Sequence, residues 1–365
     1  MKYPEGYTHE KESGTCLNLV KSLYDLKQSP RFWYRKLTDV FQELKFKASS
    51  AYPCVFVNWE GAIPLMVFLH VDDMIIGGDI KSIKIFKENI QAHFKMEDLG
   101  EIRYALGTKV SWDRKLKTIS LSQELYVNKI LGEFGMMDCK SVATPMIQGT
   151  HLAPSNKEDL STNFEYCKAV GLLNYLTSCT RMDLAYISSA LSQLLEKPSR
   201  DHVAVFKQGY SDSDWGSNFD GKSFSGHGMI YGGLIYWKTK KQSTVALSTT
   251  EAKLGSLVEL TQDTLWFKKL LAELKLYPII KLSCDNQGAI SLCNNPLYDH
   301  KTRHFNICLN WLQDLVLSKF VSLNYVPTSN MWADILTKGL GRIQHQEFNQ
   351  VFKSISVSSK RVCED

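Results

Sequence analysis

Hydrophobic positions follow two rhythms along this chain, short apolar runs and helical spacing. The run PLMVFLHV, Pro64–Val71, is followed by MIIGG, Met74–Gly78, and only Asp72 and Asp73 separate them. Apolar β-formers on both sides of a two-residue polar step predict two strands joined by a tight turn, with both aspartates at the turn. Upstream, Tyr34, Leu37, Phe41 and Leu44 recur at helical spacing behind Ser29 and Pro30. Ser as cap and Pro at the first helical position predict where that helix begins. Past the hairpin, SIKIFKENIQAHF predicts a helix, and IRYALGTKVSWDRKLKTISLS predicts two strands around a polar DRKLK turn. A further helix through QELYVNKILGEF is expected to be capped by Ser122 and to end at Gly135.

Around residues 138–165 the chain turns polar and Pro-bearing, which predicts a linker. A helical pair follows in YCKAVGLLNYLTSCT and MDLAYISSALSQLLEK. From about residue 205 the pattern becomes strand, strand, strand, long helix, strand, helix, helix, strand, helix, which implies a sheet with helices on its faces. The expected domains are residues 1–145, a linker and helical region over 146–204, a mixed domain over 205–345, and a tail over 346–365.

Composition narrows the class without naming a function. A length of 365 residues predicts two or three domains. Hydrophobic and charged fractions of 44% and 22% are those of a globular protein. The net charge of +5 permits a polyanionic partner without demanding one. Nine cysteines carry no CxxC pair and no close Cys/His cluster, so neither a disulfide framework nor a zinc site is indicated. A reducing, intracellular compartment is expected, cytoplasm or nucleus, with no signal peptide and no membrane-spanning run.

Candidate chemistry rests on acids and on basic clusters. Asp72 and Asp73 read either as a solvated hairpin turn or as a divalent-metal site, because Mg²⁺ takes hard oxygen ligands and is often held by one or two carboxylates. In the second half, Asp212 ends a predicted strand, Glu251 lies in the first turn of the long helix, Asp285 stands where a strand runs into a helix, and Asp334 falls on the final helix. Each has a plainer reading: Ser248-x-x-Glu251 is a capping box, and the aspartates can be turn or solvated acids. Lys27, Gln28 and Arg31 precede or open the first helix beside Phe32, Trp33 and Tyr34, a mixture suited to a phosphate backbone and stacked bases. Lys240, Lys241 and Gln242 after one strand, and Lys301, Arg303 and His304 before a helix, are further backbone contacts or else basic loops on a solvated face. The stretch GSNFDGKS, Gly216–Ser223, matches a phosphate-binding G-x-x-x-x-G-K-S pattern, but FSGHGMIYGGLIYW after it reads as strand and not as the helix that mechanism needs.

Taken in order, SLYDLKQSPRFWY, LHVDDMIIGGD, MEDLGEIRYALGTKV, SLSQELYVNKIL, YCKAVGLLNYL, GYSDSDWGS, KKQSTVALSTTEAK, CDNQGAISLCNNP, HKTRHFNI and YVPTSNMWADILTK resemble successive motifs of copia-type retrotransposon Pol. The resemblance covers nearly the whole chain, from mid reverse transcriptase to ribonuclease H. It implies an α+β and α/β architecture: a partial reverse transcriptase palm, thumb and connection, then a ribonuclease H-like mixed five-stranded sheet with helices. It implies that Asp72 and Asp73 match the paired acids of the polymerase palm, whose third aspartate lies upstream of the YPEGY at which the similarity starts. Polymerase action by this chain alone is therefore not expected, and an intact Pol chain is the partner that would supply the missing parts. It further implies that Asp212, Glu251, Asp285 and Asp334 converge on two Mg²⁺ or Mn²⁺ ions about 3.5–4 Å apart and cleave RNA in an RNA–DNA hybrid. The alternative is a relic that binds RNA or DNA without catalysis. Departures from the family pattern are Asp25 for a usual Gly, His70 for a usual Tyr, Lys253 for a usual Glu, and a missing segment before GYSDSDW.

Overall fold

In the computed structural model, the described residues are 16–139, 144–146, 150, 152–154, 164–208, 222–246, 248–278, 280–295 and 306–353. They divide into two compact units, Met1–Gly100 with Phe267–Tyr277, and Glu101–Trp266 with Pro278–Asp365. The boundaries expected near 145, 204 and 345 fall inside the second unit.

The first unit packs helices α1 (Ser29–Glu43) and α2 (Ile80–His93) against an antiparallel sheet of strands β1 (Lys47–Ala48), β2 (Val55–Asn58), β3 (Leu65–His70) and β4 (Asp73–Gly77), in the order β1-β2-β3-β4. Alternation along β3 sends Leu65, Val67 and Leu69 to the core, where they meet Leu37, Val40 and Phe41 of α1 and Phe86 and Ile90 of α2. Phe41 is the hub, with ring centroids 4.5 Å from Phe56 and 5.8 Å from Phe86. Asp79 caps α2 by accepting from the amides of Lys81 and Ser82. The start of α1 differs from expectation. Gln28 is the cap residue and makes no side-chain cap bond, while Ser29 already lies in the helix and its hydroxyl donates to the Leu23 carbonyl at 2.5 Å.

Within this unit, residues from Phe267 onward are the end of a long helix that begins in the second unit. The carboxylate of Glu273 accepts from the Ser50 amide at 2.8 Å and hydroxyl at 2.6 Å, and its backbone carbonyl accepts from the Trp59 indole at 3.1 Å. Burial alone would raise the Glu273 carboxyl, but the donors of Ser49 and Ser50 hold it below the usual range.

The second unit opens with strands β5 (Tyr104–Ala105), β6 (Thr108–Asp113) and β7 (Thr118–Ser122), of which β6 and β7 form the expected hairpin around Arg114–Lys117. Helix α3 (Glu124–Glu133) ends on Gly135 at φ +65°, and Met136 N donates to Leu131 O to close the turn. The helical pair is present as α4 (Tyr166–Cys179) and α5 (Ala185–Ser192), followed by α6 (Arg200–Gln208). Strands β8 (Phe224–Ile230) and β9 (Leu234–Lys241) form an antiparallel hairpin, then comes the long helix α7 (Thr249–Glu273). Strand β10 (Lys281–Cys284), helices α8 (Gln287–Asn294) and α9 (Asn306–Leu317), and strand β11 (Ser322–Tyr325) follow, with β11 parallel to β10. A short 3-10 helix, Trp332–Leu336, precedes α10 (Arg342–Lys353).

The architecture is α+β, with small sheets among helices. Of the expected five-stranded sheet, the described residues carry two pairs, β8–β9 and β10–β11. The strand expected in GYSDSDW, and most of the expected linker, lie outside the described residues. Lys222 and Ser223 run directly into β8, so the G-x-x-x-x-G-K-S match lacks the helix that phosphate binding requires.

Candidate functional sites

The paired acids of the first half sit one residue later in the hairpin than the sequence predicts. His70 pairs with Asp73, so the two loop residues are Val71 and Asp72, and Asp73 opens β4. Both aspartates are exposed. Val71 takes φ +54° and only it, of the two loop residues, is left-handed, a pattern that normally calls for glycine at the first position. A β-branched residue there is strained. The turn is held from α1, where the Trp33 indole donates to the Val71 carbonyl at 3.2 Å. That bond brings the basic start of α1 to the acidic hairpin, with Lys27, Gln28, Arg31 and Phe32 all exposed.

The acids of the second half are positioned by three different contacts. Glu251 lies in the first turn of α7, and its amide donates to the Ser248 hydroxyl at 3.1 Å, which is one arm of the capping box. Asp285 follows β10, beside that same turn: Thr250 Oγ1 is 3.5 Å from Asn286 Oδ1, and Lys253 Nζ is 2.8 Å from Asp285 Oδ1. Thr328 donates a long bond of 3.4 Å to the other carboxylate oxygen. Asp334 is on the 3-10 helix, 3% exposed, with Lys338 Nζ 2.6 Å from its Oδ2. Neither Asp285 Oδ1 nor Asp334 Oδ2 has an aligned hydrogen-bond donor among the described residues, so both lysine contacts are charge–charge contacts. Asp212 lies outside the described residues, as do Lys301, Arg303 and His304.

The 3-10 helix reaches its place because β8 is stripped of side chains beneath it. A Cβ on Gly226 would stand 2.6 Å from both Leu336 Cβ and Thr337 Cγ2. Thr239 completes the contact by donating to the Leu336 carbonyl at 3.0 Å.

The basic group on β9 is largely engaged. Lys240 pairs with Glu259 at 3.1 Å, Lys241 donates to Gln193 at 2.5 Å, and the Gln242 amide donates to Ser225 Oγ and Ala252 O, both at 2.9 Å. Gln242 thus ties the start of α7 to β8. A second tie, which no sequence pattern marks, joins α7 to the same hairpin. Asp263 Oδ2 on α7 accepts from His227 Nε2 at 2.8 Å, Tyr236 at 2.9 Å and Lys238 at 3.1 Å. Burial pushes the His227 imidazole below its ordinary value even against the Asp263 charge. These four residues come from three elements, β8, β9 and α7, and no spacing in the sequence marks Asp263 as the partner of the others.

Residues 1–148 match the family model described as reverse transcriptase (RNA-dependent DNA polymerase). The retrovirus-related Pol polyprotein from transposon TNT 1-94 of Nicotiana tabacum is 32% identical over 94% of this chain, which covers 28% of that polyprotein. The Pol polyprotein from transposon RE1 of Arabidopsis thaliana is 30% identical over 95% of the chain, covering 26% of its own length. The chain is a homologue of copia-type Pol polyproteins. It spans about a quarter of the length of these curated relatives. A Gag-Pol polyprotein of transposon Ty1 from Saccharomyces cerevisiae is more distant, 25% identical over 89% of the chain and 21% of that polyprotein. No solved structure matches the chain.

Reverse transcriptases as a family depend on divalent metal. The residues described here do not present a site that fits one. No three His, Cys, Asp or Glu side chains group as metal ligands among the described residues. Asp334, which is buried, and Asp285, which is partly buried, each face a lysine ammonium instead. Among the described residues no helix is long and apolar enough to cross a membrane.

Proposed function

We propose that this chain is a nucleic-acid-binding segment of a copia-type Pol that holds an RNA–DNA hybrid, or a single strand of either kind. The observation that carries this reading is the local site of the first unit. The Trp33–Val71 bond joins an exposed basic and aromatic helix start, Lys27, Gln28, Arg31 and Phe32, to the exposed Asp72/Asp73 hairpin. Lysine and arginine neutralise phosphates, and an exposed ring offers a stacking face to a base. The test is salt-dependent binding of a labelled hybrid. Replacing Lys27 and Arg31 together with Gln should weaken binding and flatten its dependence on salt, each lost phosphate contact reducing the logarithmic slope by about one. Unchanged affinity and slope would overturn the assignment of that surface.

A second reading is ribonuclease H-type cleavage requiring Mg²⁺ or Mn²⁺, carried by Asp212, Glu251, Asp285 and Asp334. The observation in its favour is the end of β10 lying against the first turn of α7, which brings Asp285 beside the turn that bears Glu251. Hybrid cleavage that needs Mg²⁺ or Mn²⁺ and is abolished in Asp285→Asn would establish it. Equal binding by both proteins with cleavage by neither would leave the binding reading standing alone.

A further inference from the structure

We infer that Lys253 is a tethered cation that takes the place of a divalent ion at Asp285. The inference borrows from the second reading only the assignment of Asp285 to a metal-dependent site. The Asp285 side chain is 8% exposed and its Oδ1 has no aligned hydrogen-bond donor, so its charge needs a cation close by. Lys253 supplies one at 2.8 Å from a side chain 37% exposed, which leaves the stem anchored on α7 and only the ammonium against the acid. The contact is fixed by its surroundings. Thr250, one turn earlier on the same helix, touches Asn286 next to Asp285, and a Cβ at Gly288 would meet Thr250 Oγ1 at 3.4 Å.

A divalent ion at Asp285 would have to displace this ammonium and shed water, with few carboxylates to compensate. Mg²⁺ gives up water reluctantly and favours near-octahedral oxygen ligands. With Glu at 253, the same stem position would offer a carboxylate two residues from Glu251 and facing Asp285. One side chain therefore changes the site from self-neutralised to cation-requiring. Lys338 does the same for Asp334 at 2.6 Å, from its own segment.

The experiment uses the full chain and Mn²⁺ alone as probe, read by electron paramagnetic resonance of free Mn²⁺ and by thermal shift. Wild type should bind Mn²⁺ no more tightly than Asp285→Asn. Lys253→Glu should gain a site at least about tenfold tighter, lost again in Lys253→Glu/Asp285→Asn. Lys253→Met, which keeps the stem and removes the charge, should gain less than Lys253→Glu and serves as the control for folding. Wild-type Mn²⁺ binding that already depends on Asp285 would overturn the inference, and so would a folded Lys253→Glu that gains nothing. Hybrid binding is measured in the same preparations. Its failure counts against the binding reading and leaves the Mn²⁺ result intact.

Discussion

Replacing Gly226 with Ala tests how the Asp334 segment is held. The added Cβ would sit 2.6 Å from Leu336 Cβ and Thr337 Cγ2 and 3.1 Å from the Leu336 carbonyl carbon. Carbon atoms prefer about 3.5–4.0 Å, so the 3-10 helix must retreat by roughly 1 Å. Leu336 has no room to absorb the shift, being 0% exposed in a core with Met182, Leu234 and Ile335. Overpacking of this kind destabilises by about 1–3 kcal/mol. Removing a glycine from a strand contributes about 0.5–1 kcal/mol in the opposite sense. Gly171 in α4 supplies the control, since a Cβ there meets nothing within 4 Å. Gly171→Ala should stabilise by about 0.5–1 kcal/mol. The backbone contribution is similar in both variants, so the gap between them isolates the packing, about 1–3 kcal/mol. Urea unfolding followed by circular dichroism measures it, and adding Thr337→Ser to Gly226→Ala should recover part of the loss. Equal midpoints for Gly226→Ala and Gly171→Ala would refute the claim that β8 is stripped to admit the Asp334 segment.

Backbone strain and buried histidines give the remaining expectations. Asp25 takes φ +69° and Val71 φ +54°, and both are left-handed. Glycine at either position should stabilise the first unit, by a few tenths to about 1 kcal/mol at Asp25 and about 1–2 kcal/mol at the β-branched Val71, read as a rise in unfolding midpoint. Trp33→Phe removes the donor to Val71 while keeping a ring against Phe94, and should lower stability by about 0.5–1.5 kcal/mol. In the second unit, burial pushes His202, His227 and His345 below their ordinary value of 6.5. The unfolded chain therefore takes up protons first as pH falls, so the stability they confer is complete above about pH 6.5 and is lost as pH drops through their folded-state values. The unfolding midpoint should fall between pH 7 and 5, and His227→Gln should make that fall shallower. A midpoint flat across the range would contradict the burial argument.

Local features were legible in the sequence because their causes are local. Gly135 stops a helix by chemistry that acts within a few residues, and the hairpin around Arg114–Lys117 needs only alternation and a polar turn, whereas the helix expected to be capped by Ser122 has Gln123 as its cap residue. The VDD hairpin was located but placed one residue off, because apolar patterning does not encode register, and nothing in a valine advertises a left-handed turn position. Long-range ties were not legible. Gln242 looked like a member of a basic binding loop and is used to fasten α7 to β8. Glu273 meets Ser50 although 223 residues separate them. Lys338 lies at i,i+4 spacing from Asp334, a pairing that sequence can offer, but no spacing pairs Lys253 with Asp285.

Those lysines determine how motif presence translates into chemistry here. A carboxylate at a strand end is an invitation to a cation, and which cation arrives depends on what the neighbouring helix offers. Lys338 reaches the buried Asp334 from four residues along the same segment. Lys253 reaches Asp285 across two elements whose mutual position is set independently by Thr250 and Asn286. Letting go of Asp285 would leave a carboxylate almost wholly buried beside one long 3.4 Å bond from Thr328. Asp334 is no better placed, its side chain 4% exposed against 8% for Asp285, so at either pair the ion must arrive as the ammonium leaves. For that reason the Lys253 position, and not the number of acids retained, is the one whose change the Mn²⁺ experiment reads.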